Sequence, residues 1–236
     1  MSAKNAKNTS RCIIALILAG GRGTRMGNSI LPKQYLSLHG KSVLQWSMDH
    51  FEKNADINFT LPILHPDDMS LYEQKVASRS SKRLPPCTGG IERTDSVYAG
   101  LMAIERLNPT HVLIHDAARP ATNQWLIQGV LDKLITEEGI IPALSVADTL
   151  RRKNPNGTFR DVDRTDLHLI QTPQGFPYLL LKAAYELYFQ NPPFHATDDA
   201  SIYTWAGHTL SLVQGCPYNL KLTHPDDLTF LSKALS

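Results

Sequence analysis

Short apolar runs alternate with longer amphipathic stretches along this chain. CIIALILA, residues 12–19, is apolar throughout, the pattern of a strand buried on both faces. SVLQWSMDHFEKN, residues 42–54, puts Val43, Leu44, Trp46 or Ser47, Met48 and Phe51 on one helical face, with Ser42 at the N-cap position. NFTLPILH, residues 58–65, predicts a second strand that Pro62 weakens or bulges. ERTDSVYAGLMAIERL, residues 92–107, predicts a helix with Val97, Leu101, Ile104 and Leu107 facing inward. THVLIHD is a third strand, NQWLIQGVLDKLITEEG a helix with Gly139 just past it, and GIIPALSV a fourth strand. PYLLLKAAYELYFQ, HTLSLVQG and HPDDLTFLSKAL add a helix, a strand and a closing helix. The βαβαβαβ order predicts an α/β fold, a mostly parallel sheet covered by helices.

The rhythm breaks in ADTLRRKNPNGTFRDVDRTDLHLIQTPQ, residues 147–174, where a polar segment turns at Asn156-Gly157 and returns. Flanks this polar exclude a core hairpin. An isolated hairpin is marginal in water, so an arm that packs on a second copy of the chain is expected. The arm spans about residues 147–172, within one domain over 11–236, behind a loose polar tail at 1–10.

The chain has 236 residues, 42% hydrophobic and 19% charged, enough for a sizeable core. Its net charge of +2 gives no reason to expect nucleic acid or an anionic membrane as partner. Cys12, Cys87 and Cys216 are far apart, without zinc spacing, and read as free thiols in a reducing compartment. Lys4, Lys7 and Arg11 ahead of the first apolar run superficially suggest a signal peptide, but GGRGTR follows it, which suits a buried first strand better. With no run of about 18 apolar residues, no membrane span is expected and the cytoplasm is the natural compartment.

Chemistry concentrates where that strand ends. Gly20, Gly21 and Gly23 leave backbone N–H groups open to phosphate oxygens, and Arg25 and Lys33 add mobile charge. The loop lacks the Gly-Lys-Ser/Thr of Walker A, and Met26 replaces the third glycine of a dinucleotide loop. HDAARP, residues 115–120, ends a strand, where α/β sheets keep their ligands. Asp116 there is either a divalent-metal ligand or a helix cap, and His115 either a base or a structural residue. GGIERTDSV offers a second glycine pair and Ser96, while Arg164 and Lys221 are further cations.

With these residues on the page, the chain resembles the 2-C-methyl-D-erythritol 4-phosphate cytidylyltransferases of the non-mevalonate isoprenoid pathway. The likeness runs from about Ile13 to the C-terminus and rests on seven motifs in family order. They are LAGGRGTRMG…LPKQY, GGIERTDSV, HDAARP, DTLRR, DRTDL…QTPQGF, TDDAS and NLKLTHPDDL. The resemblance implies a Rossmann-like three-layer nucleotidyltransferase fold with a protruding β-arm that forms a homodimer. It implies that Arg25 and Lys33 stabilise the transition state at the α-phosphorus of CTP, with Mg²⁺ on the triphosphate. Arg164 and Lys221 would position the polyol phosphate, helped by Thr172 and Thr197, with Arg164 and Thr172 serving the partner's site across the arm. Ala19, Gly20, Gly21, Gly23, Gly90, Ser96, Asp116 and Ala117 would hold the nucleotide. Gly20 stands where the family usually has alanine, and Ile91 leaves only backbone for a base contact at that position. The nucleophile, a phosphate monoester with its second pKa near about 6, needs no general base. Ribitol-5-phosphate cytidylyltransferases, other sugar-phosphate nucleotidyltransferases and a catalytically silent nucleotide-binding module are the alternative readings.

Overall fold

A computed structural model of the chain describes residues 11–22, 31–76, 80–134 and 139–236. In chain order its elements are β1 (Ile13–Ala19), the small hairpin β2 (Ser37–Leu38) and β3 (Lys41–Ser42), α1 (Val43–Lys53), β4 (Phe59–Leu64) and α2 (Met69–Lys75). Next come β5 (Cys87–Thr88), α3 (Arg93–Ile104), β6 (His111–Asp116), α4 (Gln124–Lys133) and β7 (Ile140–Ser145). β8 (Leu150–Lys153), β9 (Phe159–Val162), β10 (His168–Ile170) and β11 (Gln174–Pro177) precede α5 (Tyr178–Gln190), α6 (Asp199–Trp205), β12 (Ser211–Gln214) and α7 (Asp227–Ala234).

β1 is apolar throughout because it lies inside an eight-stranded sheet, between parallel β4 and β6. Ile14 and Leu16 pack on one face with Val97, Leu101 and Tyr185 from α3 and α5. Ile13, Ala15 and Ile17 pack on the other with Leu44, Met48, Phe51 and Ile127 from α1 and α4. Each fully buried aliphatic side chain contributes roughly 1.5–3 kcal/mol, so this strand alone anchors both helical layers. The sheet order is β10-β7-β11-β6-β1-β4-β5, with β12 parallel to β7. β11 is antiparallel to β6 and β7, and β10 antiparallel to β7, so the sheet is mixed at that end.

Several expectations are corrected in detail. Pro62 makes no bulge: it pairs in register with Ile17. Thr60 N–H and the Leu64 carbonyl both bond on the side away from β1, to Lys82 and Gly89. By the period of two, the missing N–H of Pro62 falls on that same side, where a short neighbouring strand asks nothing of it. Leu107 is not an inner residue: α3 ends at Ile104, and Leu107, in the following 3-10 turn, is 39% exposed. On α1 it is Ser47 that faces inward, while Trp46 donates its indole N–H to the Leu38 carbonyl at 2.8 Å. Ser42 does cap α1, accepting from Gln45 N–H at 3.1 Å. α7 starts at Asp227, because Asp227 first caps the turn by accepting from the N–H groups of Thr223 and His224. The tail at 1–10 and the end of the helix expected up to Gly139, residues 135–138, lie outside the described residues.

β8 and β9 form a separate two-stranded ladder. Its turn is wider than the two-residue form, closing between Asn154 and Thr158, with Gly157 at φ +84°. That left-handed conformation is why glycine follows Asn156. Residues 168–170, on the return from the hairpin, already belong to the main sheet as β10.

Candidate active site

The ends of β1 and β6, the start of α3 and the segment before α7 meet around a cleft of about 280 Å³. Its wall includes Ala19, Gly20, Gly21, Lys33, Asp116 and Lys221. Gly90, Ser96 and Ala117 line it as well. Nine of the expected nucleotide and cation positions are therefore adjacent in space, drawn from five separate stretches of chain. Gly23 and Arg25 lie outside the described residues.

Local chemistry explains each corner. At the end of β1, the Ala19 carbonyl accepts from the buried Gln34 amide at 2.7 Å, which ties the start of the glycine loop to the turn that carries Lys33. Arg22, one of the loop cations, is committed elsewhere: it pairs with Asp68 at 2.8 Å and Asp67 at 2.9 Å and contacts the His65 ring. It latches the loop to the end of β4. Gly90 N–H donates to Ser96 Oγ at 3.1 Å, and a Cβ on Gly90 would lie 2.2 Å from that of Asp95. Only glycine permits that approach. Gly20 is different, since a Cβ there would sit 3.7 Å from the nearest atom, in ordinary contact. Ile91 is fully exposed at the cleft's edge.

Lys33 Nζ donates to the Leu222 carbonyl at 2.7 Å. Its neighbour in sequence to that carbonyl, Lys221, reaches back to Asp116 Oδ2 at 2.7 Å. Asp116 Oδ1 faces Arg93 Nε at 3.5 Å. Burial would push the Asp116 carboxyl up, but Arg93 and then Lys221 outweigh it and hold the group well below the usual carboxylate range. Asp116 is thus an anion at any physiological pH.

Beneath the cleft runs a buried polar network. Asp116 N–H donates to Thr172 Oγ1 at 3.1 Å, and Thr172 Oγ1 lies 3.0 Å from His115 Nδ1. His115 Nε2 lies 3.3 Å from the Arg119 carbonyl, which can only accept, so Nε2 carries the proton and Nδ1 accepts from Thr172. Burial keeps His115 neutral, with its pKa pushed down to about 3. Both ring nitrogens are engaged, so of the two readings of His115 the structural one holds. Asn219 closes the network, donating to the Thr172 carbonyl at 2.8 Å and accepting from Thr122 Oγ1 at 2.6 Å. The Asn219 carbonyl accepts from Arg119 at 2.8 Å, which sets the backbone that carries Lys221.

Thr172 therefore belongs under its own chain's Asp116. It is buried and not on the arm, which replaces the expectation that it is carried to a second subunit. Arg164 follows β9, is exposed, bonds the Ala147 carbonyl, and does not line this cleft. Thr197 is exposed and borders an adjoining depression of about 370 Å³ that shares Glu92 and Arg93 with the cleft. Arg93 and Asp199, both inside quoted motifs, were passed over by sequence reasoning. Arg93 Nη2 donates to the fully buried Asp199 at 2.7 Å, and Tyr185 donates to Asp199 at 2.6 Å. The second acid of TDDAS, at the head of an amphipathic stretch with Ile202 and Tyr203, was the available signal.

Among the described residues no three carboxylate, histidine or cysteine side chains cluster for a metal. Asp116 is a cleft carboxylate that fits a cation arriving with phosphate oxygens and water, because Mg²⁺ keeps most of its shell and takes only one or two protein carboxylates.

The family model described as IspD, 2-C-methyl-D-erythritol 4-phosphate cytidylyltransferase, matches residues 13–235. A protein of that name from Neorickettsia sennetsu is 39% identical over 92% of this chain and 94% of its own. A bifunctional enzyme IspD/IspF from Mesorhizobium japonicum is 38% identical over 100% of this chain, which spans 58% of that longer protein. The crystal structure of 2-C-methyl-D-erythritol 4-phosphate cytidylyltransferase from Thermus thermophilus superposes with a TM-score of 0.75 at 31% identity, covering 94% of this chain and 96% of that one. The match takes in the glycine-lined end of β1, the Asp116–Lys221 corner and the β8–β9 hairpin together, and the chain belongs to the IspD family of cytidylyltransferases.

Proposed function

We propose that this chain transfers the cytidylyl group of CTP to 2-C-methyl-D-erythritol 4-phosphate, giving 4-CDP-2-C-methyl-D-erythritol and pyrophosphate. The carrying observation is a cleft that joins glycine backbone to Lys33, Lys221 and Arg93, with His115 beneath it engaged at both ring nitrogens. Bringing two polyanions together is the main barrier, and converging positive charge offsets it.

Backbone at Gly20, Gly21 and Gly90 admits the triphosphate and base, and Ser96 holds Gly90 in place. Lys33, with Arg25 from the loop, meets the charge that develops at the α-phosphorus. Lys221 receives the phosphate monoester of the polyol, with Thr197 at its periphery and Thr172 holding Asp116 from below, while Arg164 on the arm serves the site of a second copy of the chain. A divalent cation brought in with CTP and touching Asp116 neutralises part of the triphosphate charge.

The chain works as a homodimer joined through the β8–β9 arm. In support, this hairpin ladders with no other strand among the described residues, and Phe159 on it is 62% exposed. Leu169 on β10, at the nearby edge of the main sheet, is 56% exposed. Sedimentation at micromolar concentration should give a dimer that Phe159→Asp dissociates. A cytoplasmic location fits three unpaired cysteines, and no described helix is long and apolar enough to cross a membrane.

The activity is tested by pyrophosphate release with CTP and Mg²⁺, offering methylerythritol 4-phosphate and ribitol 5-phosphate in parallel. Strong preference for the first is expected. Preference for ribitol 5-phosphate overturns the substrate and keeps the CTP site.

A further inference from the structure

The cleft cations Arg93 and Lys221 belong to one chain of charges that runs from the cleft to a buried acid. Tyr185 donates to Asp199, Asp199 holds Arg93, Arg93 faces Asp116, and Asp116 pairs with Lys221. Asp199 is fully buried and Arg93 half-buried, so these charges act through little solvent. One carboxylate, Asp116, stands between two cations at unequal distances, 2.7 Å to Lys221 and 3.5 Å to Arg93. Arg93 is itself shared between Asp199 and Asp116, and its Nη1 is buried without a partner. A carboxylate divided in this way neutralises neither cation fully.

We propose that Arg93, anchored by Asp199, is a positioning residue that keeps Asp116 from fully neutralising Lys221, so that Lys221 retains charge for the incoming phosphate monoester. The inference rests on the assignment of Lys221 to the polyol phosphate. Without Arg93, Lys221 is the one cation among the described residues left in ion-pair contact with Asp116, with Arg119 acting from farther off. The ammonium is then more tightly held and less able to leave for a ligand. The nucleotide side of the cleft, built from the glycine backbone and Lys33, does not depend on this division.

Two measurements test it. In steady-state kinetics, Arg93→Gln is expected to raise KM for methylerythritol phosphate about tenfold while KM for CTP stays within about twofold. Arg93→Lys should recover part of the loss, because a cation returns near Asp116. In the Lys221→Gln background the Arg93→Gln change should have almost no further effect on that KM, since Lys221 is the group through which Arg93 acts. Full multiplication of the two single effects overturns the inference, and so does an equal rise in KM for CTP. A lower melting temperature with both KM values unchanged makes Arg93 merely structural, and also overturns it.

The second measurement needs no substrate. Trace acetic anhydride labels amines that are free to leave their partners, and peptide mass spectrometry reads Lys221 against the other lysines. Lys221 should label about threefold more slowly in Arg93→Gln than in the wild type, because Asp116 then holds its amine more closely. Equal or faster labelling rejects the inference. If the wild type fails to turn over CTP with methylerythritol phosphate, the proposed activity falls, and the labelling result still decides whether Arg93 governs Lys221.

Discussion

Lys33 Nζ rests 2.7 Å from the carbonyl oxygen of Leu222, 189 residues later in the chain. The contact joins the segment after the glycine loop to the segment that carries Lys221, so two cations from distant parts of the sequence share one strip of backbone. Leu222 N–H in turn donates to the Ala118 carbonyl at 2.7 Å, which ties that strip to the end of β6. The strip thus joins three parts of the cleft wall, with Lys33 bonded to its carbonyl and Lys221 to Asp116.

Lys33→Ala should leave the fold intact and suppress the chemical step. By analogy with removal of one donor to a developing oxyanion, the loss is roughly 3 kcal/mol, on the order of a hundredfold in kcat. Single-turnover rates with saturating CTP measure it, and near-wild-type turnover would remove Lys33 from the mechanism.

Gly90→Ala and Gly20→Ala should behave oppositely. A methyl group at residue 90 collides with Asp95, and the neighbouring Ser96 contact to Gly90 N–H is lost with it, so overpacking costs about 1–3 kcal/mol and nucleotide affinity falls. At residue 20 the added carbon meets nothing closer than 3.7 Å. That variant should be neutral or gain up to about 1 kcal/mol from a less flexible unfolded chain. Urea unfolding and CTP titration of both variants decide the pair.

Thr172→Val keeps the shape and removes the hydroxyl that serves Asp116 N–H and His115 Nδ1. Leaving these buried groups unsatisfied should cost about 1–3 kcal/mol, and Thr172→Ser should restore most of it. Denaturant midpoints measure the stability term. A Val variant as stable as wild type would show that the network does not bear on the fold.

Stability should fall with acid in two separate windows. His115 has a folded pKa near 3 against an ordinary 6.5, so between these values the unfolded chain binds the extra proton. Its contribution is fully present above pH 6.5 and is lost as pH drops towards 3. His50 and His111 are shifted down by burial as well and add the same sign. Asp116 acts lower: its folded pKa is depressed below 3.8, so its contribution is present above that value and is lost only in stronger acid. The urea midpoint measured from pH 7 to 4 should decline, and His115→Gln should flatten the slope. An unchanged slope in that variant would place the titrating groups elsewhere.

Much of this protein was readable from residue order. An all-apolar strand running into three glycines and basic residues announces a backbone anion site, because period and polarity are local properties. Ser42 as a cap and Gly157 in a left-handed turn are equally local, set by side-chain hydrogen bonding and the missing Cβ. β11, short and polar at its start, carried no strand signal; it exists because β6 and β7 leave a place between them.

What the linear chain could not disclose was which charges face one another. Arg22 and Arg93 both lie shortly after a glycine pair, yet one is spent on Asp67 and Asp68 and the other stands between Asp199 and Asp116. Their roles depend on Coulomb interactions between groups up to 106 residues apart, brought within about 3 Å only when both helical layers close on the sheet. Composition and spacing determined that this chain builds a phosphate-binding α/β fold. Tertiary packing alone decided that Asp116 is shared, that His115 is a neutral strut and that Lys221 is poised, since burial and distance set those states and neither is a property of the sequence.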